Sequence, residues 1–219
     1  PIFGNWTTID NLPYTSNLIN IIPNPEDPSI IWLGFCDSYL AGVYTGYRNK
    51  ICSYKINSDG SLGTWNVGPT LPDVTTGVSR VIVNNRIYFF GGWSGTGRNH
   101  IICGDIGPDG LIKNFYKLGT TFNYLIADAS ITFAYGNKIF FLPGYNRTTS
   151  SYDSSLFSFV VNPDGTLQSC VDEQNTLGTV LYTTSSRAMV IGNKVWIIGG
   201  NNVGATAYTS VAVCADLSI

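Results

Sequence analysis

The chain has 219 residues, of which 44% are hydrophobic, 13% aromatic and only 12% charged, with 24 glycines and a formal net charge of −2. That apolar content without long like-charge blocks excludes disorder, and recurrent Gly and Pro exclude a coiled coil. The small charge gives no electrostatic ground for a nucleic-acid partner, and no apolar run reaches the ~20 residues of a membrane-inserted helix.

The chain opens on Pro1 and not Met, with no basic segment followed by an apolar stretch, so it reads as a piece of a longer protein without a signal peptide. The first strand signal is Ile30-Ile31-Trp32-Leu33-Gly34-Phe35, preceded by the turn-rich Asn24-Pro25-Glu26-Asp27-Pro28. An apolar strand at Ile51–Ile56 then runs into Asn57-Ser58-Asp59-Gly60-Ser61-Leu62. The same pairing returns as His100–Ile106 before Gly107-Pro108-Asp109-Gly110-Leu111-Ile112, and as Ser155–Val161 before Asn162-Pro163-Asp164-Gly165-Thr166-Leu167. A second, independent motif recurs between these marks: Val83–Gly92, Tyr135–Gly144 and Ile191–Gly200 each read as strand, two-residue turn and strand. Asn84-Asn85 or a Gly-Asn pair occupies each turn, as expected where both central residues take positive φ. The second strand of each pair stops at Gly-Gly or Pro-Gly.

The Asp-Gly marks fall at 59, 109 and 164, a period of 50 to 55 residues. With a degenerate first copy, four units account for the chain, approximately 7–64, 65–114, 115–169 and 170–219. Short β-branched and aromatic strands between Gly-rich turns at this period predict an all-β propeller. Its four blades are each a four-stranded antiparallel sheet, as the whole or a part of the wheel. Tyr208–Ala215 reads as an outermost strand, and residues 1–6, with Phe3-Gly4-Asn5-Trp6 echoing Leu62-Gly63-Thr64-Trp65, are expected to close the ring.

These residues resemble kelch-type blades, as in the propeller of the galactose-oxidase family. The resemblance rests on Gly91-Gly92 and Gly199-Gly200, on the aromatic-aliphatic strands before them, on Arg80 and Arg187, and on Thr64-Trp65 followed by Leu71-Pro72. Phe115 and Cys170 stand where Trp65 would repeat, and Pro143 replaces one glycine. The resemblance does not carry over the copper chemistry, which needs two histidines where this chain has only His100.

The inventory for catalysis is thin. His100, beside Arg98 and Asn99, reads as a loop or strand-entry residue, no GxSxG elbow is present, and no base adjoins Cys36 or Cys170. The five cysteines have no metal-ligand spacing and read as small hydrophobes on strands, in a chain folded in a reducing compartment. No cofactor and no metal are expected. The aspartates 59, 109 and 164 are explained by turn geometry. The acids Asp27, Asp37, Asp105, Asp128, Asp153, Asp172 and Glu173 lie on separate segments. An enzyme acting on glycans through carboxylates in the central mouth, with Asp37 or Asp128 as candidates, remains the alternative. A structural assembly module is the other.

Binding fits better. The resemblance places the loops after the Gly-Gly strand on one face of the disc, at 36–49, 93–99, 145–154 and 201–209. They hold Tyr39, Tyr44, Tyr47, Trp93, Tyr145, Tyr152 and Tyr208 with Asn201 among Ser, Thr and Gly. Aromatic faces stack on sugars or side chains while amides and hydroxyls give directional hydrogen bonds. Any single aromatic is more simply a packing residue; the coincidence in four loops carries the reading. Arg80 and Arg187, one strand before Gly-Gly, either line the channel and hold an acidic group or satisfy inward carbonyls. The expected partners are a glycan or cell-surface protein and other domains or subunits of a larger assembly, with no nucleic acid and no membrane insertion. The setting suggested is the receptor-binding or phage-tail-associated part of a virion, or an adhesin, acting in host attachment. The sequons at Asn5 and Asn146 are read as noise.

Overall fold

The structure is a computed structural model. It describes residues 16–17, 20–24, 27–34, 37–40, 43–47, 50–73, 78–93, 95–126, 131–176, 187–199 and 212–217. The elements in these residues are all strands. β1 (Ser16–Asn17) belongs to a small separate sheet described below. The first blade is β2 (Asn20–Pro23), β3 (Ile30–Gly34), β6 (Lys50–Lys55) and β7 (Asn66–Thr70), hydrogen-bonded in that order. Between β3 and β6, β4 (Asp37–Leu40) and β5 (Val43–Tyr47) pair with each other, and β4 pairs with β1. The second blade is β8 (Ser79–Val83), β9 (Arg86–Phe90), β10 (Arg98–Ile106) and the long β11 (Ile112–Ile126). β12 (Ile131–Tyr135), β13 (Lys138–Leu142), β16 (Ser155–Val160) and β17 (Val171–Thr176) form the third. Between β13 and β16, β14 (Gly144–Asn146) and β15 (Ser151–Asp153) make a hairpin. The described part of the fourth blade is β18 (Arg187–Ile191), β19 (Lys194–Ile198) and β20 (Ala212–Asp216). All pairings within the sheets are antiparallel. The first strands β8 and β12 lie side by side, as do β12 and β18, so the sheets are wedged around an axis as in a four-bladed β-propeller.

The sheets correct the boundaries suggested by the repeats at 64, 114 and 169. The strand after each Asp-Gly turn stays in the same blade: Cys52 pairs with Val67, Cys103 with Tyr116 and Phe157 with Asp172. The blades therefore run Asn20–Thr70, Ser79–Ile126, Ile131–Thr176 and Arg187–Asp216. Residues 1–6, expected to close the ring, lie outside the described residues, and β20 is the last paired strand described in blade four.

Equivalent backbone hydrogen bonds align the copies. The amide of Ile56 donates to Ser29, that of Ile106 to Asn85, that of Val161 to Asn137 and that of Leu217 to Asn193. Trp32, Tyr88, Phe140 and Trp196 thus occupy one position. Gly34 then matches Phe90, one place before the double glycine. The turns differ from expectation too. Asn84 and Asn85 both have positive φ, at 52° and 55°, whereas in the next two hairpins only the first residue does, Gly136 at 59° and Gly192 at 61°. At Gly91 and Gly92, φ of 66° and 103° bends the chain out of the sheet, a backbone that residues with a Cβ avoid.

Period-two alternation turns successive residues of the second strand toward opposite neighbours. Ile87 and Phe89 join Ile22, Ile30, Trp32 and Ile51 of blade one in a single cluster. Tyr88 and Phe90 instead join Ile139, Phe141, Phe157 and Phe159 of blade three. Phe140 and Leu142 then meet Val195 and Ile197 of blade four. Each such fully buried side chain contributes roughly 1.5–3 kcal/mol. At the shared position Trp32, Tyr88 and Phe140 are 1%, 0% and 8% exposed, but Trp196 is 37% exposed and its strand neighbour Ile198 54%. Among the described residues, the second strand of blade four is thus the one with an exposed forward face.

The Asp-Gly turns do more than reverse the chain. The carboxylates of Asp59 and Asp164 each accept from both the amide and the hydroxyl two residues on, at Ser61 and Thr166, which holds their pKa values below the ordinary carboxylate range. The turn glycine is then seated on the preceding blade. The Gly165 carbonyl accepts from the Tyr88 hydroxyl at 3.1 Å, and the Gly110 carbonyl from the Asn24 amide at 3.4 Å. A Cβ on Gly110 would stand 2.6 Å from Ile30 and 2.7 Å from buried Asn24, whereas one on Gly192, also at positive φ, meets nothing within 4 Å. Gly192→Ala is expected to lower stability by about 1 kcal/mol, from the backbone alone, and Gly110→Ala by roughly 2–3 kcal/mol, read from urea midpoints. Equal losses would show that the turn is not a docking element.

Candidate functional site

Strand direction puts the Asn84–Asn85 and Asp-Gly turns at one end of the sheets and the loops after Gly-Gly at the other. At that second end β11 runs past the body of its blade, and Ile126 pairs with Asn146, so the β14–β15 hairpin of blade three is stitched onto the sheet of blade two. The backbone amide of Arg147 donates to Leu125 at 2.8 Å. Asn146 is 1% exposed, and its side-chain oxygen accepts from the amides of Thr148 and Thr149, which fixes the turn that follows. Trp93 bridges to Gly97 in the loop of blade two. The guanidinium carbon of Arg147 lies 4.6 Å from the centre of the Trp93 ring and 4.9 Å from that of Tyr145. A residue of one blade is thus clasped between aromatics of two, each contact of cation–π type. Arg147 itself is exposed, as is the rest of its turn through Ser150.

A second polar group sits at this end. Asp73, in the connection from blade one, lies 3.4 Å from Arg98 Nε, 3.3 Å from His100 Nε2 and 3.3 Å from Lys117 Nζ. His100 lies near the start of β10, at the strand entry the sequence allowed, and pairs with Thr121 across the sheet. Burial pushes its pKa below the ordinary histidine value, and the Lys117 charge adds to this while Asp73 opposes it.

The structure brings together two of the aromatics read from the loops, Trp93 and Tyr145, through Arg147, which the sequence reading did not name as a site residue. Its place two residues after a loop tyrosine was the available signal. Tyr39, Tyr44, Tyr47 and Tyr152 are in strands β4, β5 and β15, but their side chains fall outside the described residues, as do Asn201 and Tyr208 entirely. Arg80 lies on the inner strand β8, half-buried, and its carbonyl accepts from the Thr132 hydroxyl at 2.6 Å, which joins two inner strands. The side chain of Arg187, on β18, is outside the described residues.

No protein-family model matches the chain. A kelch domain-containing protein of Saccharolobus solfataricus is 37% identical over 75 residues, which is 31% of this chain and 10% of that protein. The solved structure of YjhT aligns over 95% of this chain and 65% of its own, with a TM-score of 0.71 and 13% identity. The fold is that of a kelch-type β-propeller. The chain spans about a tenth of the length of the curated relative and about two thirds of YjhT.

Of the cysteines among the described residues, Cys52 and Cys103 behave as packing residues, and Cys36 lies outside the described residues. Cys52 and Cys103 are buried thiols on β6 and β10, Cys170 is partly buried, and Cys214 is exposed on β20. Burial, with Asp172 nearby, pushes Cys170 up to about 11, so at neutral pH it is a thiol and a poor nucleophile. Among the described residues no group of three His, Cys, Asp or Glu side chains is placed to hold a metal ion. A cavity of about 660 Å³ lined by Asn24, Asp27, Lys55, Asn85, Asp109 and Gly110 lies at the turn end of blades one and two, away from the Trp93 loop. The only histidine of the chain gives the propeller a defined acid response. Because the folded form resists protonation, the unfolded chain binds the extra proton first, and stability falls as pH drops below 6.5. His100→Asn is expected to flatten the urea-midpoint curve between pH 7.5 and 5. A curve as steep as that of the wild type would refute the assignment.

Proposed function

We propose that this kelch-type propeller is a non-catalytic recognition module, which binds a glycan or protein surface through the loops at the Trp93–Tyr145 end. The observation that carries the reading is the stack of Trp93, Arg147 and Tyr145. The stitch between Ile126 and Asn146 holds the rings and the guanidinium of two blades in fixed relation, which is the pre-organisation that binding surfaces need. Aromatic and arginine side chains grouped on a rigid base are the residues that dominate recognition hot spots. Tyr-, Asn- and Ser-rich loops with few charges suit a receptor-binding or tail-associated part of a virion, or an adhesin, and this setting rests on composition and architecture alone.

A glycan array and a panel of cell-surface proteins, probed with the wild-type chain and with Trp93→Ala and Tyr145→Ala, test the reading. Binding reduced at least tenfold by each substitution, with the urea midpoint little changed, is the expected result. Binding indifferent to both would remove this end of the propeller from consideration.

A further inference from the structure

We infer that the partner surface at this end is an acidic protein segment, whose carboxylates are held by Arg147 and Arg98; the inference rests on the recognition reading above and names its ligand. Three observations lead there. First, one face of each of the Trp93 and Tyr145 rings is filled by the Arg147 guanidinium, so those faces are closed to a sugar ring. What this stack offers outward is the edge of a planar cation with its N–H donors. Arg147 is exposed and in no ion pair among the described residues. Stacking holds the fork flat, the arrangement that grips a carboxylate with two parallel hydrogen bonds.

Second, the neighbouring charges have the same sign. Arg98 and Lys117 share the single carboxylate of Asp73, and His100 beside them is kept from protonation by burial. With Arg147, this end carries three permanent cations, beside Asp73 and the hairpin's own Asp153, on a chain whose net charge is −2. Third, the sheet sets the spacing. Arg98 pairs with Ile126 and Ile126 with Asn146, so Arg98 and the base of the Arg147 turn are two strand steps apart, about 10 Å. An extended segment spans that distance in about three residues. The exposed turn Arg147–Ser150 projects its cation instead of enclosing it, and arginine with aromatics is the composition of protein interfaces more than of small-ligand clefts.

Fluorescence anisotropy with a labelled peptide of alternating Glu and Gly residues tests this, alongside the same peptide with Gln for Glu and a labelled oligosaccharide of uronic acids. The Glu peptide is expected to bind, to weaken as salt rises, and to exceed the Gln peptide by at least tenfold. Arg147→Gln should lower its affinity tenfold or more. Arg147→Lys, which keeps the charge and loses the fork, should lower it by a lesser factor. Unchanged urea midpoints in both variants show that folding is not the cause. Equal binding of the Gln peptide, or affinity indifferent to Arg147→Gln, overturns the inference. Uronic acid binding through Arg147 without peptide binding overturns the protein assignment. If array ligands depend on Trp93 and Tyr145 but not on Arg147, the recognition reading survives and only the acidic partner falls.

Discussion

Everything in this molecule depends on the second strand of each blade being apolar on both faces. One set of its alternate side chains packs back on the preceding sheet and the other packs forward on the next, as Ile87 and Phe89 do against blade one and Tyr88 and Phe90 against blade three. Because the side-chain period is two, a slip of one residue would exchange the two sets and mismatch both neighbours at once. The Asp-Gly turn acts on the same register from outside the core. Seated on the first residue and the aromatic of the strand before it, as Gly165 is against Arg86 and Tyr88, it fixes how far each blade slides along the next.

The repeat was legible because its two markers obey backbone rules that survive divergence: a two-residue turn with positive φ at Asn84 or Gly136, and an Asp whose carboxylate caps the turn it begins. Blade boundaries were not. The outer strands read Asn-Val-Gly-Pro-Thr in β7 and Val-Asp-Glu-Gln-Asn-Thr in β17, partly polar segments with a Pro or several acids and no alternation. Their membership is set by hydrogen bonds to β6 and β16, information carried by the partner and not by the strand. The first copy is degenerate in sequence, and its alignment comes from the Ile56–Ser29 hydrogen bond, which sets Gly34 level with Phe90.

The candidate site was half legible. Trp93 and Tyr145 stand out as aromatics in loops that alignment of the repeats puts at one end, yet nothing local tells that a guanidinium will fill the space between them. That contact depends on β11 being long enough to reach the β14–β15 hairpin of the following blade, a cross-blade pairing invisible to a reading by repeats. His100 shows the same limit. Its neighbours in sequence suggested a loop or strand entry without special role, whereas its ion-pair partner Asp73 belongs to a connection far back in the chain. Polar residues here take their meaning from what the wheel brings near them.

The open forward face of blade four has a consequence for how the molecule comes apart. Among the described residues blade four shares a cluster with blade three, while Trp196 and Ile198 on its other face are 37% and 54% exposed. Repeats that share free energy chiefly with the units beside them need not melt as a block. The amide protons of β19 and β20 will then exchange through partial openings that leave β9 and β13 closed, and the slowest protons of the chain belong to the Phe90–Phe141 seam, where two wholly enclosed rings lie 5.2 Å apart.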